Sequence, residues 1–405
     1  MVDLALAEGF DLRALPADFD ADPYRYYHAL RETDPVMRMP DGSYLLTAHR
    51  DLDAVYRDTG TFSSDKKVEF RPKFGDGLLY RHHTTSLVFN DPPLHTRVRR
   101  MIAGALTPRA IAGLEPALIR LVDQLLDAME AKGEADLIED FASAIPVEVI
   151  GNMLGVPRDE RGPLREWSLA ILGALEPTLT PEQFARGEAA VGAFVAYLKG
   201  LIADRRAHPG DPAQDVLTRL IQGETSGERL TAEELEQNCV FILNAGHETT
   251  TNLIGNGLQL LMDWPGERAR LLENPDLIRT AVEEFLRFES SNQLGNRMTT
   301  VEAVVGGKTI PARTGLTLVI GAANRDPAVF AEPDRLDVGR TPNRHLAFAS
   351  GPHQCAGMTV ARLEGRVAIS RFLARFPGYG PAGAPVRGGR VRFRGYLSIP
   401  VRLRG

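Results

Sequence analysis

Apolar positions recur at helical spacing over four long stretches, 110–132, 180–207, 231–264 and 275–289. Each predicts a helix with at least one buried face. Two stretches carry start signals. Thr180 stands before Pro181, which suits the first helical position, and Thr231 is followed by Glu234 at the spacing of a capping box. Pro265 closes the third stretch, because proline lacks the amide that a helix interior uses. At about 30 residues this third helix is long for a globular protein, so it is expected to cross the body as a central, buried element. Strand-like pieces are short. Residues 36–39 and 44–47 flank Asp41-Gly42 as a hairpin would, and 300–305, 316–320 and 391–401 are further candidates. No internal repeat or low-complexity tract interrupts the pattern. The stretch 208–212 reads as a loop too short to link domains, while 327–342 is rich in turn residues and runs on into a second irregular loop. Irregular backbone of that length is usually functional. The pattern as a whole predicts one large, mainly helical domain with small β-sheets.

Composition narrows this without redirecting it. The 405 residues are 43% hydrophobic and 25% charged, an ordinary globular balance that excludes wholesale disorder and allows a core able to enclose a cofactor. A formal net charge of −6 argues against a general nucleic-acid binder. Cys239 and Cys355 are the only cysteines, too few for a disulfide framework or a four-thiolate metal centre within one chain. No apolar run reaches the roughly 18 residues that span a membrane. Residues 1–16 carry acids and no uninterrupted apolar stretch, unlike a secretory signal. The expectation is a soluble cytoplasmic protein.

The sharpest chemistry lies in Phe348-Ala-Ser-Gly-Pro-His-Gln-Cys-Ala-Gly357, followed by a helical pattern from Met358 to Phe376. Gly351 and Gly357 flank Cys355, so the backbone can turn tightly and aim amides at the sulfur. A helix N-terminus also favours a thiolate. The residues alone leave three roles for Cys355: metal ligand, nucleophile or inert core cysteine. A nucleophile would need a base, and the spacing of His353 does not by itself supply one.

Phe348, Gly351, His353, Cys355 and Gly357 resemble, at matching spacing, the haem-binding loop of the cytochrome P450 monooxygenases. The resemblance implies that Cys355 is the proximal ligand of the iron in haem b. Ala349 stands where a glycine is more usual, and a slight shift in loop packing is the most this should cause. The resemblance extends through Asp22-Pro23-Tyr24, Thr61-Phe62-Ser63-Ser64 and Asn324-Arg-Asp-Pro327. It implies a helix-rich triangular prism with the long helix over the haem, as one domain spanning 1–405, with about 1–20 as an N-terminal extension.

Three further features test the resemblance. The long helix carries Asn244-Ala-Gly-His-Glu-Thr-Thr-Thr251, poor helix chemistry for a buried segment. It reads either as a polar patch between helices or as room for a ligand at Gly246 beside an acid and an alcohol. Its similarity to the family's oxygen-activation motif implies the latter, with Glu248 and Thr249 delivering protons. Glu284 and Arg287 can pair on one helical face. By themselves they suit a solvated surface pair; the resemblance implies a buried structural network completed by Arg335. His95 and Arg99 lie one turn apart, and with Arg297 and His353 they match positions that bind haem propionates in bacterial members. The basic run Arg97, Arg99, Arg100 also suits a plain solvated face.

The implied activity is dioxygen activation and insertion of one oxygen atom, by hydroxylation or epoxidation, into a functionalised small molecule or secondary metabolite. Electrons would come from a separate ferredoxin and its reductase, docking on a basic face that includes Arg97, Arg100 and Arg362. Alternatives within reach are oxidative coupling, peroxide-driven oxidation and, more remotely, a non-catalytic haem sensor. By family position the substrate pocket is expected from 66–90, 169–194, the helix near Leu243, 289–296 and the turn near Tyr396. Asn292 or Gln293 could meet polar groups of the substrate. Lys66, Lys67, Arg71, Lys73 and Arg81 would either attract an anionic one or be solvated. His247 and Cys239 read as packing residues.

Overall fold

The computed structural model describes residues 2–212, 215–222 and 230–404. Its longest element is the helix Ala232–Asp263. Both halves of the expected capping box form: the Glu234 amide donates to Thr231 Oγ1 at 3.1 Å, and the Thr231 amide to the Glu234 carboxylate at 2.9 Å. The helix ends at Trp264, and Pro265 opens the next one, Pro265–Glu273. Helices Ala144–Leu154, Leu164–Gly173, Pro181–Ala207, Ile278–Phe288 and Met358–Arg375 pack around it. Enclosure on several sides explains why Asn244, His247, Thr251 and Asn256 are all buried on this one helix. The Thr251 hydroxyl returns to the His247 carbonyl at 3.0 Å, a local use of a polar group that the core does not satisfy otherwise.

A five-stranded sheet lies beside the helices, in the order Val36–Arg38, Tyr44–Leu46, Gly315–Val319, Leu294–Thr299, Phe62–Ser63. Its pairings are antiparallel except for the parallel ladder between Tyr44–Leu46 and Gly315–Val319. The hairpin around Asp41-Gly42 is therefore real, with Gly42 at φ +86°. The candidate strand 300–305 reduces to Ala303–Val305, paired with Lys308–Ile310. The stretch 391–401 does not form one strand. Tyr396–Ser398 pairs with Val386–Arg387, and Pro400–Arg402 joins a different sheet with Glu134–Asp136 and Gly380–Pro381. Between 391 and 395 the backbone is committed elsewhere: Phe393 bridges to Asn292, and Arg392 and Arg394 send buried guanidiniums into the body. Tertiary contacts override the local alternation there. The N-terminal 20 residues are less an extension than part of the core, since Phe10 and Phe19 bury against Tyr26 and Tyr27. No helix among the described residues is long and apolar enough to cross a membrane.

Candidate active site

The cysteine loop is folded by its own backbone. The Cys355 amide donates to the Phe348 carbonyl at 2.9 Å, which closes the loop into a ring-shaped turn. Gly351 sits at φ +68°, and a Cβ there would lie 2.6 Å from the Tyr56 carbonyl oxygen, so only glycine fits. Gly357 differs from expectation. Its φ is −88° and a Cβ would meet nothing, so its contribution is its amide, which with that of Met358 hydrogen-bonds the sulfur. Burial pushes the Cys355 thiol above its ordinary pKa, while these two amides and the charges of Arg99 and Arg362 draw it back toward thiolate. The thiol stands where the helix Met358–Arg375 begins, so the helix dipole adds to that pull. The Phe348 ring lies under the Arg362 guanidinium, 4.8 Å from the ring centre.

Ala245, Gly246 and Thr249 on the central helix are part-exposed or exposed among buried neighbours, and Phe348, Cys355 and Ala356 on the loop are part-exposed. On the helix side the Thr249 hydroxyl donates to the Ala245 carbonyl at 2.7 Å, leaving its lone pairs free to accept. Gly246 departs from the expected role, because a Cβ there would point at Ile150 Cδ1, 2.6 Å away. Its smallness serves close packing of the helix Ala144–Leu154. Glu248 is buried, and Arg390 Nη1 contacts both its oxygens at 2.6 and 2.7 Å. Burial, opposed by Arg390 and assisted by Glu176, raises its pKa to about 7.

The four expected cationic residues come together beside the cysteine loop, each within electrostatic reach of the others or of Cys355. The His95 and His353 rings stack with centroids 3.8 Å apart. Arg297, on the strand Leu294–Thr299, lies over the Tyr56 ring at 5.0 Å. Burial and the charges of Arg297, His95 and Arg99 hold His353 down to about 2. Asp91, ahead of this helix, accepts from Ser63 Oγ at 2.5 Å and the Ser64 amide at 2.8 Å, which ties the Thr61-Phe-Ser-Ser segment to the His95 helix.

The sequence profile described as cytochrome P450 matches residues 14–378. The chain belongs to the cytochrome P450 family. The biotin biosynthesis cytochrome P450 of Bacillus subtilis (strain 168) is 36% identical over 367 residues, covering 89% of this chain and 91% of that one. The 6-deoxyerythronolide B hydroxylase of Saccharopolyspora erythraea is 34% identical, with 96% and 97% covered. Among solved structures, P450BioI in complex with hexadec-9Z-enoic acid ligated acyl carrier protein superposes with a TM-score of 0.90 at 34% identity, over 96% of this chain and 100% of that one. This P450 is accordingly a haem-thiolate monooxygenase.

Its residues fit a haem. His95 Nε2, His353 Nε2 and Arg297 Nε are buried polar atoms with no hydrogen-bond partner, clustered where two carboxylates would satisfy them. The sulfur, held by two amides at a helix start, has the donor character of a ligand to iron.

Several other expectations are corrected. Glu284 and Arg287 pair at 2.8 Å with both side chains fully buried, but the third member is Arg340, whose Nε lies 3.1 Å from both Glu284 oxygens. Arg335 pairs with Glu332 at the surface and contributes only its carbonyl. In the proposed basic face, Arg97 is engaged by Glu234, and Arg362 forms a two-pronged pair with Glu283 at 2.7 and 2.8 Å. Gln293 spends its Nε2 inside the protein, donating to the Ser290 carbonyl at 2.7 Å and to Tyr24 Oη, while Gln293 Oε1 and Asn292 Oδ1 have no partner. Lys66, Lys67 and Arg71 pair with Glu69, Asp65 and Asp76, and Lys73 bonds the Glu176 carbonyl. Arg81 is exposed, and it is the one of these five whose side chain makes no ion pair or hydrogen bond among the described residues. His247 and Cys239 are buried, and burial lowers the histidine to about 3 and raises the thiol to about 12, as suits packing residues. Arg390, Arg340 and the buried Glu364 escaped sequence reasoning, since their partners lie 142, 56 and 114 residues away in the chain.

Proposed function

We propose that this chain binds haem b through Cys355 and uses Glu248 and Thr249 to deliver protons while one oxygen atom is inserted into a functionalised small molecule. The observation that carries the reading is an amide-cradled sulfur at the start of a helix that packs on the central helix, which bears the acid–alcohol pair. Haem b, when bound, supplies the redox chemistry that cleaves dioxygen. His95, Arg99, Arg297 and His353 would hold its propionates. Thr249 keeps its hydroxyl oxygen available because its proton is given to the Ala245 carbonyl. Glu248, with a pKa of about 7, gains and loses a proton near neutrality. Arg390 is 23% exposed and contacts Glu248, so it links that carboxyl to the protein surface. Electrons would arrive from a ferredoxin and ferredoxin reductase. The names of relatives, including a vitamin D(3) 25-hydroxylase of Pseudonocardia autotrophica, favour a functionalised metabolite as substrate.

The test is the absorption spectrum of the reduced protein under carbon monoxide. A Soret band at the thiolate position supports Cys355 as ligand, and its loss in Cys355→His completes the assignment. A band at the position of imidazole-ligated globins in fresh wild-type protein overturns it.

A further inference from the structure

Ser291 lies between the helix Ile278–Phe288 and the strand Leu294–Thr299, and is 5% exposed. Its hydroxyl donates to the backbone carbonyl of Thr249 at 2.8 Å. Thr249 is thus held at two points: its own hydroxyl reaches back to Ala245, and its carbonyl takes a donor from outside the helix. Ser291 is itself anchored, because its carbonyl accepts the Arg394 amide at 2.9 Å. The same backbone grips the helix further along. Asn256 Nδ2 donates to the Glu289 and Arg394 carbonyls at 3.2 and 3.1 Å, and a Cβ at Gly395 would lie 2.1 Å from Asn252 Oδ1.

We propose that Ser291 is a positioning residue for Thr249, fixing the rotation and height of its helical turn so that the hydroxyl meets the reacting oxygen. The proposal rests on the reading that Thr249 delivers protons. Each NADPH supplies two electrons. In coupled turnover these and two protons convert dioxygen to one inserted oxygen atom and water; in uncoupled turnover they convert dioxygen to hydrogen peroxide. A displaced Thr249 hydroxyl diverts electrons to peroxide without slowing their arrival.

The adjacent Ser290 is a built-in control, since its hydroxyl donates to the Leu286 carbonyl and accepts from Asn324, with no bond to the central helix. The holoenzyme is assayed with NADPH, a plant-type ferredoxin and its reductase, and myristic acid as probe, reading product and peroxide per NADPH. Amide hydrogen exchange of the helical turn after Thr249 is read on the same variants without turnover, where Ser291→Ala is expected to speed it and Ser290→Ala to leave it unchanged. Ser291→Ala is expected to lower product per NADPH about threefold to fivefold, the scale of one lost hydrogen bond, with total NADPH oxidation unchanged. Ser291→Thr restores coupling, Ser290→Ala lowers thermal stability only, and adding Ser291→Ala to Thr249→Ala causes no further loss. Wild-type coupling in Ser291→Ala, with Thr249→Ala uncoupled, overturns the proposal. Full coupling in Thr249→Ala overturns instead the role given to Thr249.

Discussion

Arg390 supplies the counter-charge for Glu248 from the C-terminal hairpin, and its removal has a defined electrostatic sign. Burial is the main cause that lifts Glu248 to about 7, and Arg390 is the main one that restrains it. With Arg390→Leu the carboxyl loses that restraint, its pKa rises further, and the ionised form becomes scarce at neutrality. Proton delivery needs the protonated carboxyl, so the alkaline limb of the pH profile for product formation is expected to move to higher pH by roughly one unit, while Arg390→Lys keeps the wild-type limb. An unchanged profile in Arg390→Leu removes Glu248 from the proton path. Ala349 offers a second single-residue case. It adopts φ +53°, a left-handed conformation that costs a non-glycine residue about 1–2 kcal/mol. Glycine relieves that strain but loses more freedom on folding, roughly 0.5–1 kcal/mol. Ala349→Gly should therefore stabilise the protein by about 0.5–1 kcal/mol in denaturant melts, leaving the haem spectrum intact. The departure from the usual glycine leaves the loop's shape and changes its strain.

At the scale of elements, local signals were most legible where the chain solves its own termini. The Thr231–Glu234 capping box, the Thr180-Pro181 helix start and the Asp41-Gly42 turn depend on residues within four positions of each other, and all three form as the spacing implies; Thr180 adds a box with Gln183 that its spacing also allowed. The segment Glu289-Ser-Ser-Asn-Gln293 was misleading for the opposite reason. Its polarity suggests contact with substrate, yet Glu289, Ser290, Ser291 and Gln293 all bond protein groups, binding the central helix, the N-terminal segment and the C-terminal hairpin to one another. The partner of the Glu284–Arg287 pair was equally out of reach. Arg335 and Arg340 are five residues apart in one irregular stretch, and no periodicity tells which turns inward. The structure makes the distinction measurable. Arg340 is 11% exposed and shares Glu284 with the fully buried Arg287, whereas Arg335 is 59% exposed beside Glu332. Arg340→Ala is expected to cost about 3 kcal/mol by stripping a buried carboxylate of one partner. Arg335→Ala should change stability by less than about 0.5 kcal/mol. Equal losses in urea melts would return the third position to Arg335.

Across the whole molecule, the site assembles from segments far apart in sequence, which is why its sulfur and acid–alcohol pair were legible as motifs but their supports were not. Glu364 shows how such a support governs a global property. It lies nearly two turns into the helix behind Cys355, is 3% exposed, and has Thr250 of the central helix as its hydrogen-bond partner. Its Oε1 has no partner, and burial raises its pKa to about 8. Between the ordinary 4.5 and about 8 the folded protein therefore holds this proton more tightly than the unfolded chain does. Stability should fall as pH rises through that window, by on the order of 5 kcal/mol from this group alone. Glu248 adds to the same limb between 4.5 and about 7. Glu283 and Asp334 act in the other direction. Their pKa values are depressed to about 2 by Arg362 with His345 and by His28 with Arg325, despite the opposing effect of burial. The stability they contribute is present above the ordinary carboxylate range and is lost as pH falls toward 2. The buried histidines act in the same direction at higher pH: burial holds His82 to about 4 and His247 to about 3, so stability rises as pH climbs to the ordinary 6.5. The holoprotein should thus be most stable near pH 6.5 and decline toward pH 8. Glu364→Gln keeps the shape and removes the charge, so it should stay close to the wild type at pH 5 and flatten the decline above pH 6.5 by more than half. Urea melts at pH 5, 7 and 8.5 measure the slope directly; a variant that declines as steeply as the wild type would mean that Glu364 is already ionised in the fold.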